Sequence, residues 1–102
     1  MTTPRTSDTG ARILRVLKAL KGHSLDGLSN GDLAKGLGES APNINRALNT
    51  LIAEGLAVKL DNGRFAPSIA LLQIAQAHAN EMVAAQHRIN EINQRVLAGA
   101  SR

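Results

Sequence analysis

The stretch from Ser29 to Gly55, SNGDLAKGLGESAPNINRALNTLIAEG, constrains the fold more than any other part of the chain. Ser29 followed three residues later by Asp32 has the spacing of a capping box, which satisfies free N–H groups at a helix start. Leu33, Ala34 and Leu37 supply one apolar face, and Gly38 suits a left-handed carboxy-terminal cap. A second helix must then begin within a few residues. Pro42 belongs in its first turn, where a missing N–H costs nothing, and Ser40 or Ala41 is the candidate cap. Ile44, Leu48 and Leu51 recur at helical spacing until Gly55 ends the run. Two short helices joined by a tight glycine turn leave few possible folds.

The flanks fit that centre. Asp8 or Thr9 is expected to cap a first helix through about Lys21. Its apolar face is Ile13, Leu14, Val16, Leu17 and Leu20, with Arg12, Arg15 and Lys18 facing out. Residues 22–27 read as a loop, after which Leu28 returns to the core. Leu56, Val58 and Leu60 alternate with Ala57 and Lys59, the period of a half-buried strand, and Asn62-Gly63 signals a type I′ hairpin turn. Arg64 to Ala66 form the returning strand, closed by Pro67. Residues 68 to about 98 contain neither proline nor glycine and read as one long helix. The expected class is mainly α (α+β): a winged helix-turn-helix, three helices plus a β-hairpin wing, followed by a long carboxy-terminal helix. The expected divisions are a flexible tail over 1–7, the winged domain over 8–67 and an oligomerisation helix over 68–102.

Composition narrows the function classes. The 102 residues fit one domain with an appended element, and 43% hydrophobic content excludes a disordered chain. No cysteine is present, so disulfides, thiolate metal sites and cysteine nucleophiles are excluded. No segment resembles a signal peptide or a membrane span, and a cytoplasmic protein without a membrane partner is expected. Twelve basic against eight acidic residues give a net charge of +4, which permits binding to nucleic acid. Phe65 is the only aromatic residue, which argues against single-strand binders that stack bases on aromatic platforms. His78 and His87 lie nine residues apart, off metal-ligand spacing. No carboxylate pair, nucleophile set or phosphate loop is present, so neither catalysis nor a cofactor is expected.

The second helix of the pair carries the functional signal. Around Ile44 the helical wheel gathers Leu48, Leu51, Ala47 and Ile52. Opposite lie Pro42, Arg46, Asn49 and Ala53, flanked by Asn43, Asn45 and Thr50. An ordinary solvated face uses Lys and Glu. This one offers short amides, a hydroxyl and a guanidinium, with no acid until Glu54. Asparagine pairs with adenine through two hydrogen bonds, and arginine reads guanine or holds phosphate. Asn43, Asn45, Arg46, Asn49 and Thr50 are therefore candidate major-groove contacts. Ser29, Lys35 and Ser40 are candidate phosphate contacts. Lys59, Asn62 and Arg64 on the hairpin could reach flanking backbone or minor groove.

Residues 12 to about 75 resemble the amino-terminal winged helix-turn-helix domain of the IclR family of transcriptional regulators. The resemblance rests on Leu17 and Leu20, on LAKGLG, on INRALNTLIAEGLAV as recognition helix and exit, and on DNGRFAPS as wing. It places Arg46 on the family's usual arginine and Thr50-Leu51 on its threonine-leucine pair. Pro42 and Asn43 stand where the family usually has small hydroxyl residues. The family continues into a larger effector-binding domain. The 102 residues here offer no room for one, so no small-molecule effector is expected.

Past the wing, Leu71, Ala75, His78, Met82, Ala85, Ile89, Ile92 and Val96 follow alternating spacings of four and three, a heptad stripe. Leu71 to Ala75 are expected to pack on the chain's own domain. Met82, Ala85, Ile89, Ile92 and Val96 are expected to meet a second copy. Val83 and Leu97 sit off the stripe. The leading expectation is a homodimeric regulator of double-stranded DNA. The rival is an adaptor whose winged domain and long helix bind another regulator or a polymerase subunit.

Overall fold

Hydroxyl side chains start each of the first three helices. In the computed structural model, which describes residues 3–101, α1 spans Asp8–Ala19, α2 Asn30–Leu37 and α3 Ala41–Ala53. Ser7 Oγ accepts from the Gly10 N–H, Ser29 Oγ from Asp32 and Ser40 Oγ from Asn43. The first cap is thus Ser7, one residue before the expected Asp8 or Thr9. That leaves Asp8 in the first turn, where its charge complements the helix dipole. The Ser29–Asp32 capping box is complete, and Gly38 closes α2 with φ 65°. Of the expected amino-terminal tail, Met1 and Thr2 lie outside the described residues, as does Arg102 at the other end.

The core sits where α1 and α2 pack against α3. Val16, Leu20, Leu33, Ile44, Ala47, Leu48 and Leu51 are buried there together with Ala57 and Phe65. Removing a leucine side chain of this kind from water contributes roughly 1.5–3 kcal/mol. Two residues expected on apolar faces are not part of this core. Leu14 is 58% exposed and Ile52 is 36% exposed. In each helix the inward sector is narrower than the run of apolar residues.

Strand β1 (Ala57–Lys59) pairs antiparallel with β2 (Phe65–Pro67), with Ala57 opposite Pro67 and Lys59 opposite Phe65. Burial departs from the expected alternation at two positions, Ala57 being buried and Val58 exposed, while Leu56 and Leu60 are half-buried as expected. Directly opposed residues share a face of a sheet. The Phe65 ring takes the core side, so Ala57 turns inward with it. Lys59, on that same face, carries its ammonium over the Phe65 ring at 5.9 Å from the centroid. Leu28 adds a further short rung to the sheet. Its N–H donates to the Phe65 carbonyl at 2.9 Å, and the Phe65 N–H donates back at 2.8 Å.

The hairpin turn also differs from the expected type. A type I′ turn needs positive φ at both central residues. Among the described residues none other than glycine has positive φ, and only Gly63, at 84°, supplies it in this turn. The Gly63 N–H donates to Leu60 O, and the Leu60 N–H donates to Arg64 O. This is the pattern of a three-residue loop ending in a left-handed glycine.

The chain divides into two units, Met1–Leu71 and Leu72–Arg102. Helix α4 runs Ile69–Ala100. Ser68 starts it: its hydroxyl accepts from the Leu71 N–H at 3.0 Å and donates to the Gly55 carbonyl at 2.6 Å. Leu71 is half-buried, whereas Ala75, expected to be packed, is exposed. Pairs four residues apart tie α4 to itself: Gln76–Asn80, Gln86–Asn90 and Glu91–Arg95. No helix among the described residues is long and apolar enough to cross a membrane.

Candidate nucleic-acid interface

Helix α3 is anchored by its buried side and so presents a fixed outer face. Ile44, Ala47, Leu48 and Leu51 are buried, while Asn45, Arg46, Asn49 and Thr50 are exposed. The side-chain amides of Asn45 and Asn49 make no hydrogen bond to another described residue, so both are free to pair outward. The Thr50 hydroxyl donates to the Arg46 carbonyl one turn back, at 3.0 Å. Its oxygen still offers a lone pair, but its proton is engaged.

Asn43 differs from the other asparagines. It is half-buried and bonded on both ends of its amide. Its Nδ2 donates to Glu39 Oε2 at 3.4 Å, and its Oδ1 accepts from the Arg46 guanidinium. Glu39 in turn pairs with α1. Arg12 Nε lies 3.2 Å and the Arg15 guanidinium 3.9 Å from Glu39 Oε1. The Arg12 guanidinium, with help from Asn43, holds the Glu39 carboxyl below its ordinary range. Sequence reading missed this group. Arg12 and Arg15 were expected to face solvent, and Glu39 precedes the helix rather than belonging to it. Thr9, Arg12, Ile13, Asn43, Arg46, Ala47 and Thr50 together line a concavity between α1 and α3.

The candidate phosphate contacts hold structural posts as well. Ser29 and Ser40 each use an oxygen lone pair for capping; Ser40 keeps its hydroxyl proton for an outside acceptor, whereas the Ser29 proton is shared with the Asp32 carboxylate. The Ser29 hydroxyl and backbone N–H hold the Asp32 carboxyl below its usual value, with smaller support from Arg64 and Lys35. Lys35 is exposed in the last turn of α2. Asn30, not singled out from the sequence, donates to the Ala41 carbonyl at 3.4 Å and so ties the start of α2 to the start of α3.

On the wing, Lys59 and Arg64 are exposed. Asn62 is also exposed, but both ends of its amide are occupied. Oδ1 accepts from the Arg64 N–H at 2.9 Å, and Nδ2 donates to the Asp26 carbonyl at 3.1 Å. It fastens the wing tip to the loop between α1 and α2, so the exposed cations of the wing are Arg64 and Lys59, the latter lying over the Phe65 ring. Of the residues expected along α4, Met82, Ile89, Ile92 and Val96 are each about half exposed, and Ala85 is exposed. The off-stripe residues Val83 and Leu97 are exposed too.

Comparison with known proteins agrees with this geometry. Residues 10–61 match the model of the IclR helix-turn-helix domain. A crystal structure of a point mutant of MepR, from a multidrug-resistant S. aureus clinical isolate, shares the winged-helix fold. Its TM-score is 0.55 at 15% identity, covering 98% of this chain and 88% of that one. No curated protein matches the chain.

Proposed function

The chain belongs to the IclR helix-turn-helix family of DNA-binding transcription regulators, and from that premise we propose that it recognises a specific duplex sequence as a homodimer. The observation that carries this reading is the outer face of α3. Asn45, Arg46, Asn49 and Thr50 stand exposed on a helix whose opposite side is locked into the core. Arg46 and the free amides of Asn45 and Asn49 meet base edges in the major groove, and Asn43 acts beside them through Arg46. Ser29, Lys35 and Ser40 hold phosphates on either side of the groove. Lys59 and Arg64 contact the flanking backbone or minor groove from the wing, whose position Asn62 sets. Met82, Ala85, Ile89, Ile92 and Val96 join two copies. Two recognition helices then sit about one DNA turn apart, roughly 34 Å, on a near-palindromic site. The protein acts in the cytoplasm and needs no cofactor.

Selection of duplexes from a random pool tests the reading. The wild-type chain should enrich one motif, and the Arg46→Ala, Asn49→Ala double variant should lose it. A good base contact is worth about 1–3 kcal/mol of discrimination, so affinity for the selected site should fall by at least about tenfold. No enrichment, or enrichment indifferent to the double variant, would sink it.

A further inference from the structure

We infer that Glu39 is a specificity-determining positioning residue, which sets the Asn43–Arg46 pair for base reading and withholds Arg12 and Arg15 from DNA phosphates. The inference rests on the proposed reading of bases by α3. It goes beyond it in assigning the control of that reading to an acid outside the helix.

Three observations carry it. First, an amide has two different ends, and the neighbours decide which way it faces. A carboxylate only accepts, so Glu39 Oε2 must face the Asn43 Nδ2, at 3.4 Å. Oδ1 is thereby turned toward α3, where it accepts from the Arg46 guanidinium. The direction of the arginine follows from the acid two links away. Second, Glu39 stands on the α1 side of this cluster, with Arg12 Nε at 3.2 Å and the Arg15 guanidinium at 3.9 Å. Arg12 is half-buried in this pairing, while Arg15 remains exposed. Third, the acid stands immediately before the cap of α3, where a helix amino terminus attracts phosphate. A negative charge there lowers attraction for any duplex, whatever its sequence. Its presence makes sense if it restrains indiscriminate binding while ordering the groups that discriminate. The charged groups facing Glu39 are Arg12 and Arg15 from α1, with Arg46 of α3 reached through Asn43.

Replacing the acid separates the two roles. Glu39→Gln removes the charge, and its own amide can present a donor to Asn43, so the Asn43 amide is free to turn over. Glu39→Asp keeps the charge but is one methylene shorter and cannot span from Arg12 to Asn43. Both variants, in the full chain, are taken through duplex selection and through titration against the selected site and a random duplex over a range of salt. Glu39→Gln should relax the motif and lower the ratio of selected-site to random-duplex affinity by about tenfold, the size of one base contact. The dependence of random-duplex binding on salt should steepen by about one to two, as the two arginines reach phosphates. Glu39→Asp should relax the motif without steepening the salt dependence. A merely structural role would lower melting temperature and weaken all duplexes alike, leaving motif and ratio unchanged, and that result overturns the inference. Should Glu39→Gln fail to fold, an unaltered motif for Glu39→Asp overturns it instead. A wild-type motif kept by both variants defeats this inference alone. A wild-type chain that enriches no motif defeats base reading by α3, and this inference with it.

Discussion

Two carboxylates at the starts of helices link this domain to pH. Asp32 is held by Ser29 and Glu39 by Arg12 and Asn43, and each has its folded-state pKa depressed. Across the carboxylate range the unfolded chain therefore binds more protons than the folded one, so stability rises with pH there. Their contribution is fully present above the ordinary values, about 4, and is lost as pH falls through the lower folded values. Thermal melts should show stability dropping below about pH 4, with little change due to these groups near neutrality. Asp32→Asn combined with Glu39→Gln should flatten the acid limb. An acid limb unchanged in the double variant would place the sensitivity elsewhere. At this scale the sequence was legible where partners are near in the chain: the Ser29–Asp32 box spans three residues. Glu39 was not, because Arg12 lies far from it in sequence and meets it only once α1 crosses α3.

Among the elements, the turns decide how the reading helix and wing are presented. Gly38 has φ 65° and open space around it, so Gly38→Ala meets backbone strain alone. That costs about 1 kcal/mol, the usual penalty of a left-handed residue with a Cβ. Gly27 combines φ 74° with a close approach: an added Cβ would sit 2.8 Å from the Phe65 carbonyl oxygen. That oxygen is held by the Leu28 rung of the sheet, so it cannot withdraw without breaking a hydrogen bond. Urea unfolding should therefore show Gly27→Ala to be clearly more destabilising than Gly38→Ala. Equal losses would mean that the rung yields freely. Gly38 announced its role through position, after an apolar helical run. Gly27 carries no such signal, since its constraint comes from a strand nearly forty residues on.

At the scale of the whole molecule, α4 is the element that bears on association. Helix α4 leaves Met82, Ile89, Ile92 and Val96 about half exposed at heptad spacing, the arrangement a second copy would cover. Ile89→Glu with Ile92→Glu should reduce the mass seen by light scattering from dimer to monomer. Affinity for a two-half-site duplex should fall by an order of magnitude or more, because the second half-site gain depends on linkage. An unchanged mass would remove α4 from the dimer contact.

Local rules in the sequence determined the order of elements, the capping box, the glycine stop of α2 and the outward amides of α3. Each follows from periodicity or from a hydrogen bond spanning three or four residues, which neighbours in the chain settle among themselves. Tertiary structure decided the rest. Phe65 took the core side of the sheet, and Ala57 rather than Val58 was buried with it. Asn62 became a tie to Asp26 rather than a free amide. Arg12 turned from solvent to Glu39, while Arg15 stayed exposed beside it. In every such case a side chain had two acceptable local arrangements. The choice fell to a partner that no local rule could bring near.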